Sequence, residues 1–270
     1  MPRSRAPLGA LPLLLLAACA GASARTSATA ASPAASAAPA ARPIPAATRQ
    51  LLVVRTPDWD DIHGTLQRFT RRGPGAAWTA VGAAEPIVVG RTGLAWGRGL
   101  HGEGVARGFE GPVKREGDGK SPAGAYTLSR IFGYAPPDSM RDLRMPYVQA
   151  TEDLRCVDDA ASPAYNALVR APAGAPEPWA SAEHMRLASG AYRIGVFVDH
   201  NAGAQRAPGG GSCIFLHVWS GPDSPTVGCT AMPLERMAAI ARWLDPAAQP
   251  VLVQLPDAAY GRLRAVWALP

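Results

Sequence analysis

Glycine and proline punctuate this chain so densely that no long helix can run through most of it. There are 28 glycines and 27 prolines among 270 residues; the first cost backbone entropy in a helix, and the second lack the amide donor. The apolar stretches between them are short and rich in β-branched and aromatic residues. Residues 51–54, 65–71, 78–81, 86–89, 126–128, 192–198 and 214–219 therefore read as strands. Only two stretches read as helices. One is 178–187, with Ser181 as cap and Met185 turned inward. The other is 232–244, where Leu234, Met237, Ala241 and Leu244 recur at helical spacing after Pro233. Residues 90–111 read as long loops around 94–96. A hydrophobic share of 47% is enough for a sizeable core. The predicted class is mainly β: a twisted sheet curled into a sandwich or partial barrel, with the second helix packed on it and few other helical turns.

Three segments follow from composition. Residues 1–18 carry Arg3 and Arg5 ahead of the apolar run 8–18, the layout of a secretory signal and too short for a membrane span. The run ends Leu16-Ala-Ala-Cys19, which resembles the lipobox of bacterial lipoproteins and implies lipidation of Cys19 and a membrane anchor; the small residues of 18–24 suit an ordinary signal-peptide cut as well. Residues 19–48 are nearly all Ala, Ser, Thr and Pro, a disordered tether by composition. Residues 49–270 are expected to fold as one domain. The formal charge is +6, or about +4 without Arg3 and Arg5, too mild to point to a nucleic-acid partner.

Two residues carry the chemistry. His217 interrupts the apolar run 214–219, where an uncommitted imidazole is costly. Cys229 lies beyond the turn-rich loop 220–225, directly ahead of the second predicted helix, whose dipole would favour the thiolate. Gly228 lets the backbone bend and offer its N–H groups to an oxyanion. The pair reads either as nucleophile and base or as a buried structural cysteine beside a satisfied core histidine.

The segment His217, Thr226-Val-Gly-Cys229, Met232 resembles the catalytic signature of the L,D-transpeptidases, which cross-link peptidoglycan through an active-site cysteine. A second patch, Lys114 to Tyr126, contains Ser121-Pro-Ala-Gly124-Ala-Tyr126 and is similar to that family's Thr-Pro-x-Gly-x-[Phe/Tyr] strand and turn. Val227 stands where the family usually has a second histidine, Ala231 where Arg or Asn is frequent, and the His-to-Cys spacing is short. The resemblance implies a divergent member acting on peptidoglycan stem peptides, with Cys229 as nucleophile, His217 as base and the N–H groups of Gly228 and Cys229 as oxyanion donors. It implies no metal or organic cofactor. Substrate contacts are expected from His200, Thr226 and Lys120. With Cys229 taken, Cys156 and Cys213 are left as a disulfide pair or as two buried thiols. Because Val218 follows His217, its orienting partner is expected to be a backbone carbonyl. Three other activities compete: an L,D-carboxypeptidase, a non-catalytic peptidoglycan-binding lipoprotein, and a zinc peptidase using His200, His217 and Asp199 or Asp223.

Overall fold

The computed structural model describes residues 42–106, 108–203 and 206–270. The leader, Cys19 and the tether as far as residue 41 lie outside the described residues. The first apolar runs form an antiparallel meander of β1 (Gln50–Thr56), β2 (His63–Thr70) and β3 (Thr79–Val88). The runs 78–81 and 86–89 are two ends of the single strand β3, because a register shift between Leu66 and Arg68 of β2 absorbs residues 82–84 between them. Short pieces follow: β4 (Leu94–Trp96), β5 (Arg98–Gly99) and β6 (Gly102–Glu103). Next come the long β7 (Ser121–Gly133) and β8 (Tyr147–Gln149). A separate three-stranded sheet is made of β9 (Leu154–Val157), β10 (Leu168–Arg170) and β11 (Ala182–His184). The chain ends with β12 (Ile194–Val198), β13 (Phe215–Val218), β14 (Thr230–Met232), α1 (Leu234–Trp243), β15 (Val251–Pro256) and α2 (Asp257–Trp267).

The main sheet closes on itself. Its order is β12-β13-β14-β3-β2-β1-β15-β7, and β7 pairs with β15 through residues 124–127 and with β12 through residues 128–133. A ring of this kind removes the open edges that an unclosed sheet must protect. Strand alternation then sorts side chains between two cores. Ile194, Val196, Val198, Ile214, Leu216, Val218 and Met232 point into the main core with Leu51, Leu52, Tyr126 and Met237. Phe197, Cys213, Phe215 and Cys229 point the other way, into a smaller core with Phe132, Cys156, Met185 and Tyr192. That second core lies between the barrel wall and the β9–β11 sheet, and a Cys156–Cys213 disulfide joins the two across it.

The fold class is as read from the sequence, with three local differences. Residues 178–187 do not form a helix: β11 occupies 182–184 and pairs with β9 (Glu183↔Cys156), sending Met185 into the second core. The helix reading rests on a cap residue and one inward methionine, which a strand accommodates equally well. Residues 44–48, assigned to the tether by composition, pack on the barrel. Ile44 and Thr48 are buried, and the Arg71 guanidinium donates to the carbonyls of Pro45, Ala46 and Thr48. Finally, α2 was not anticipated; it buries Ala259, Tyr260, Leu263 and Trp267 against β15 and β1.

Candidate functional site

β13 and β14 run parallel with Leu216 opposite Thr230 and His217 opposite Ala231. Cys229 therefore continues β14 beside Phe215. It shares the outer barrel face with His217, one pleat along. The Cys229 sulfur accepts from the Phe215 N–H at 3.3 Å, and its own hydrogen faces the Cys213 carbonyl at 3.5 Å. Its carbonyl oxygen is held by two hydroxyls: Ser121 Oγ at 2.7 Å and Thr226 Oγ1 at 2.6 Å. Ser121 opens β7 and accepts in turn from the Gly90 N–H. The two sequence patches 114–126 and 217–232 thus meet at one peptide unit.

His217 is buried, and its Nδ1 lies 2.9 Å from the Val218 carbonyl oxygen. A carbonyl can only accept, so Nδ1 carries the proton and Nε2 keeps its lone pair. The Tyr192 ring stands edge-on to the imidazole, centroids 5.2 Å apart. Burial pushes His217 down to about 4, against the pull of its carbonyl partner. Burial, and then the negative charge of Glu183, push the Cys229 thiol up; the Phe215 N–H and Lys114 act in the opposite direction. The two groups therefore rest as neutral thiol and neutral imidazole.

The helix-dipole expectation for Cys229 fails. Residues 230–232 pair with β13 and β3, so α1 starts only at Leu234, too far from the sulfur for an end-effect confined to the first turn. The backbone donors are unequal. The Gly228 N–H is taken by Thr226 Oγ1 at 3.1 Å, while the Cys229 N–H donates to no described residue.

Two cavities meet at Cys229. One of about 250 Å³ is lined by His217, Tyr192, Thr226 and Ala231. The other, of about 330 Å³, is lined by Arg91, Lys114, Glu116, Asp158, Ser212 and Gly228. Glu183, Val227 and Cys229 belong to both. Val227, 69% exposed at the shared rim, presents an apolar surface to whatever enters.

Of the expected substrate contacts, only Thr226 lines these cavities. His200 is fully buried: Nδ1 accepts from the Arg98 N–H at 3.2 Å and Nε2 faces the Gly210 carbonyl at 3.0 Å, so both nitrogens serve the backbone. Lys120 Nζ is bound to Asp60 at 2.9 Å and to the Thr92 carbonyl. Lys114 takes its place on the cavity wall, fixed by a 2.5 Å contact to Asp118. The zinc-site candidates are scattered: Asp223 pairs with His63, and Asp199 accepts from Thr127 and Ser129. Sequence reading missed Tyr192, Glu183, Asp158 and Glu116. The strand pairing Glu183↔Cys156 brings Glu183 beside Asp158, and the Tyr165 and Ser212 hydroxyls hold Glu116 near them; nothing local in the sequence signals either.

Neither the curated proteins nor the solved structures contain a match to this chain. The family model of the YkuD L,D-transpeptidase catalytic domain matches residues 67–253, from the middle of β2 to the middle of β15, and so takes in the barrel apart from β1, the disulfide-linked sheet, His217 and Cys229. This chain belongs to the L,D-transpeptidase catalytic-domain family.

Proposed function

We propose that the protein is a cell-envelope L,D-transpeptidase that acts on peptidoglycan stem peptides through a Cys229 acyl-enzyme. The observation that carries this reading is the Nδ1–H of His217 held by the Val218 carbonyl, which leaves Nε2 basic on the face it shares with Cys229. Nε2 takes the thiol proton as sulfur attacks the carbonyl between the L-centre of the third stem residue and D-Ala. The Cys229 N–H, unpaired among the described residues, receives the oxyanion, while Ser121 and Thr226 fix the peptide that carries it. The imidazolium then protonates the departing D-Ala amine. An amine from a second stem resolves the thioester. Lipidation of Cys19 would hold the domain at the envelope through the tether. Cys19→Ser should abolish palmitate labelling; a protein labelled as before refutes the anchor.

The direct test is purified protein with disaccharide-tetrapeptide. D-Ala release, cross-linked dimer and a carbapenem adduct on Cys229 in intact mass spectra are expected, all lost in Cys229→Ala. An adduct that persists in that variant, or none in the parent, refutes the assignment.

A further inference from the structure

Glu183 is the one carboxylate common to both cavities at Cys229. One of its oxygens accepts from the Tyr192 hydroxyl, and among the described residues no other side chain or cation reaches it. Asp158, on the same wall, has a buried Oδ1 with no partner among the described residues. Glu116, the third carboxylate there, is satisfied by the Tyr165 and Ser212 hydroxyls. Facing these three are Arg91 and Lys114, and Lys114 is already committed to Asp118. Glu183 and Asp158 are half-buried, whereas Glu116 and Arg91 are exposed; the inner part of the wall is thus short of positive charge beside the reacting sulfur, which is costly at a buried atom such as Asp158 Oδ1 unless a ligand completes it.

We propose that Glu183, with Asp158 beside it, is the acceptor-recognition carboxylate of the site: it receives the ammonium group of the incoming amine, takes its proton, and steers the acyl-enzyme toward cross-linking over hydrolysis. The proposal rests on the Cys229 reading above. An amine reaches a neutral-pH site as R–NH₃⁺, which has no lone pair. Transfer of one proton to the Glu183 carboxylate gives R–NH₂ and a carboxylic acid. The nitrogen lone pair then forms the bond to the thioester carbon, the amide nitrogen gives its extra proton to His217 Nε2, and the C–S bond breaks. The sulfur recovers that proton from His217, and Glu183 releases its own to solvent. Burial, opposed by the Tyr192 hydrogen bond and reinforced by Asp158 and Glu116, pushes Glu183 up to about 7, which suits a group that must exchange protons with an amine near neutrality.

The test is Glu183→Gln and, separately, Asp158→Asn in the full chain with disaccharide-tetrapeptide, measuring dimer against hydrolysed tripeptide. Loss of a charged hydrogen-bond partner should cut the dimer-to-tripeptide ratio about ten- to a hundredfold for Glu183→Gln, with a smaller loss for Asp158→Asn. Capture of the acyl-enzyme by hydroxylamine, a nucleophile uncharged above neutral pH, should fall far less. An unchanged ratio, or equal losses for both acceptors, overturns the proposal; equal losses would mean that Glu183 only holds Tyr192. Should the variants not fold, the parent protein alone decides. Its KM for the ammonium acceptor should rise as pH drops through about 7 while hydroxylamine capture does not, and a flat profile overturns the proposal. A parent that releases D-Ala without ever joining an amine also overturns it, yet leaves the Cys229 reading intact; a parent with no adduct on Cys229 removes that reading itself.

Discussion

At the scale of single residues, the decisive fact is where protons rest. Imidazole and thiol are both neutral in the ground state, so activation waits for the substrate. The rate of carbapenem acylation should therefore hold steady as pH falls through the ordinary histidine range and be lost only as it nears about 4, where His217 becomes charged. An acid limb near 6.5 would show that His217 is solvated or is not the base. His217→Gln should slow acylation by about 10²- to 10⁴-fold, the usual worth of a positioned general base; adduct formation followed by mass over time reads this directly. His217 and Cys229 were legible in sequence because a histidine inside an apolar strand and a Gly-Cys turn are both locally unusual. Lys120 was misread for Lys114 because the two are near neighbours in one basic loop. Only the loop's path decides which of them faces the sulfur, and Asp60 and Thr92, distant in sequence, claim the other.

At the scale of elements, the site depends on a turn and a strap. Gly228 has φ near +152°, and a Cβ there would sit 3.2 Å from the Lys120 carbonyl oxygen. Gly228→Ala should cost about 1–2 kcal/mol of stability and tilt the Cys229 N–H away from the oxyanion. Thermal unfolding and adduct formation should fall together; normal acylation in this variant would mean that the turn is not part of the oxyanion site. The strap is the Cys156–Cys213 disulfide. Cys213 itself lies in the left-handed region at φ 55°, which turns its carbonyl toward the Cys229 sulfur. Cys156→Ser together with Cys213→Ser should lower stability by about 2–4 kcal/mol and loosen the β9–β11 sheet over Tyr192, so acylation should slow even though neither residue touches substrate. β1, β12 and β13 were readable because each holds a short apolar run bounded by turn residues, whereas β14, three residues long beside a helix, and β15 were not read as strands. Nor was β11. Its identity as a strand depends on pairing with β9, and a three-residue edge strand followed by one buried methionine carries no periodicity of its own.

At the scale of the whole molecule, closing the barrel and laying a second sheet on it traps several ionisable groups in their neutral forms. Burial lowers His217 to about 4 and His200 to about 3 from a free value of 6.5, and lowers His101 as well. Each is neutral in the folded chain and takes up a proton on unfolding in acid. Their contribution to stability is complete above about 6.5 and is lost as pH falls through the folded values. Glu183 runs the other way. Its folded value near 7 lies above its free value of 4.5, so its contribution is complete below 4.5 and is lost as pH rises through 7; half-buried Asp199, also raised by desolvation, has the same sign. The two windows overlap between 4.5 and 6.5, where three histidines outweigh two carboxylates, so stability should rise to a peak near pH 6.5 and fall on the acid side of it. Glu183→Gln removes one source of the alkaline decline without touching the acid one. Thermal melts across the pH range should show this variant gaining on the parent as pH rises from 4.5 to about 7 and running parallel to it above that. If the parent melts identically from acid to mildly alkaline pH, the histidines and Glu183 are not buried together as described, and the charge-deficient wall beside Cys229 loses its physical basis.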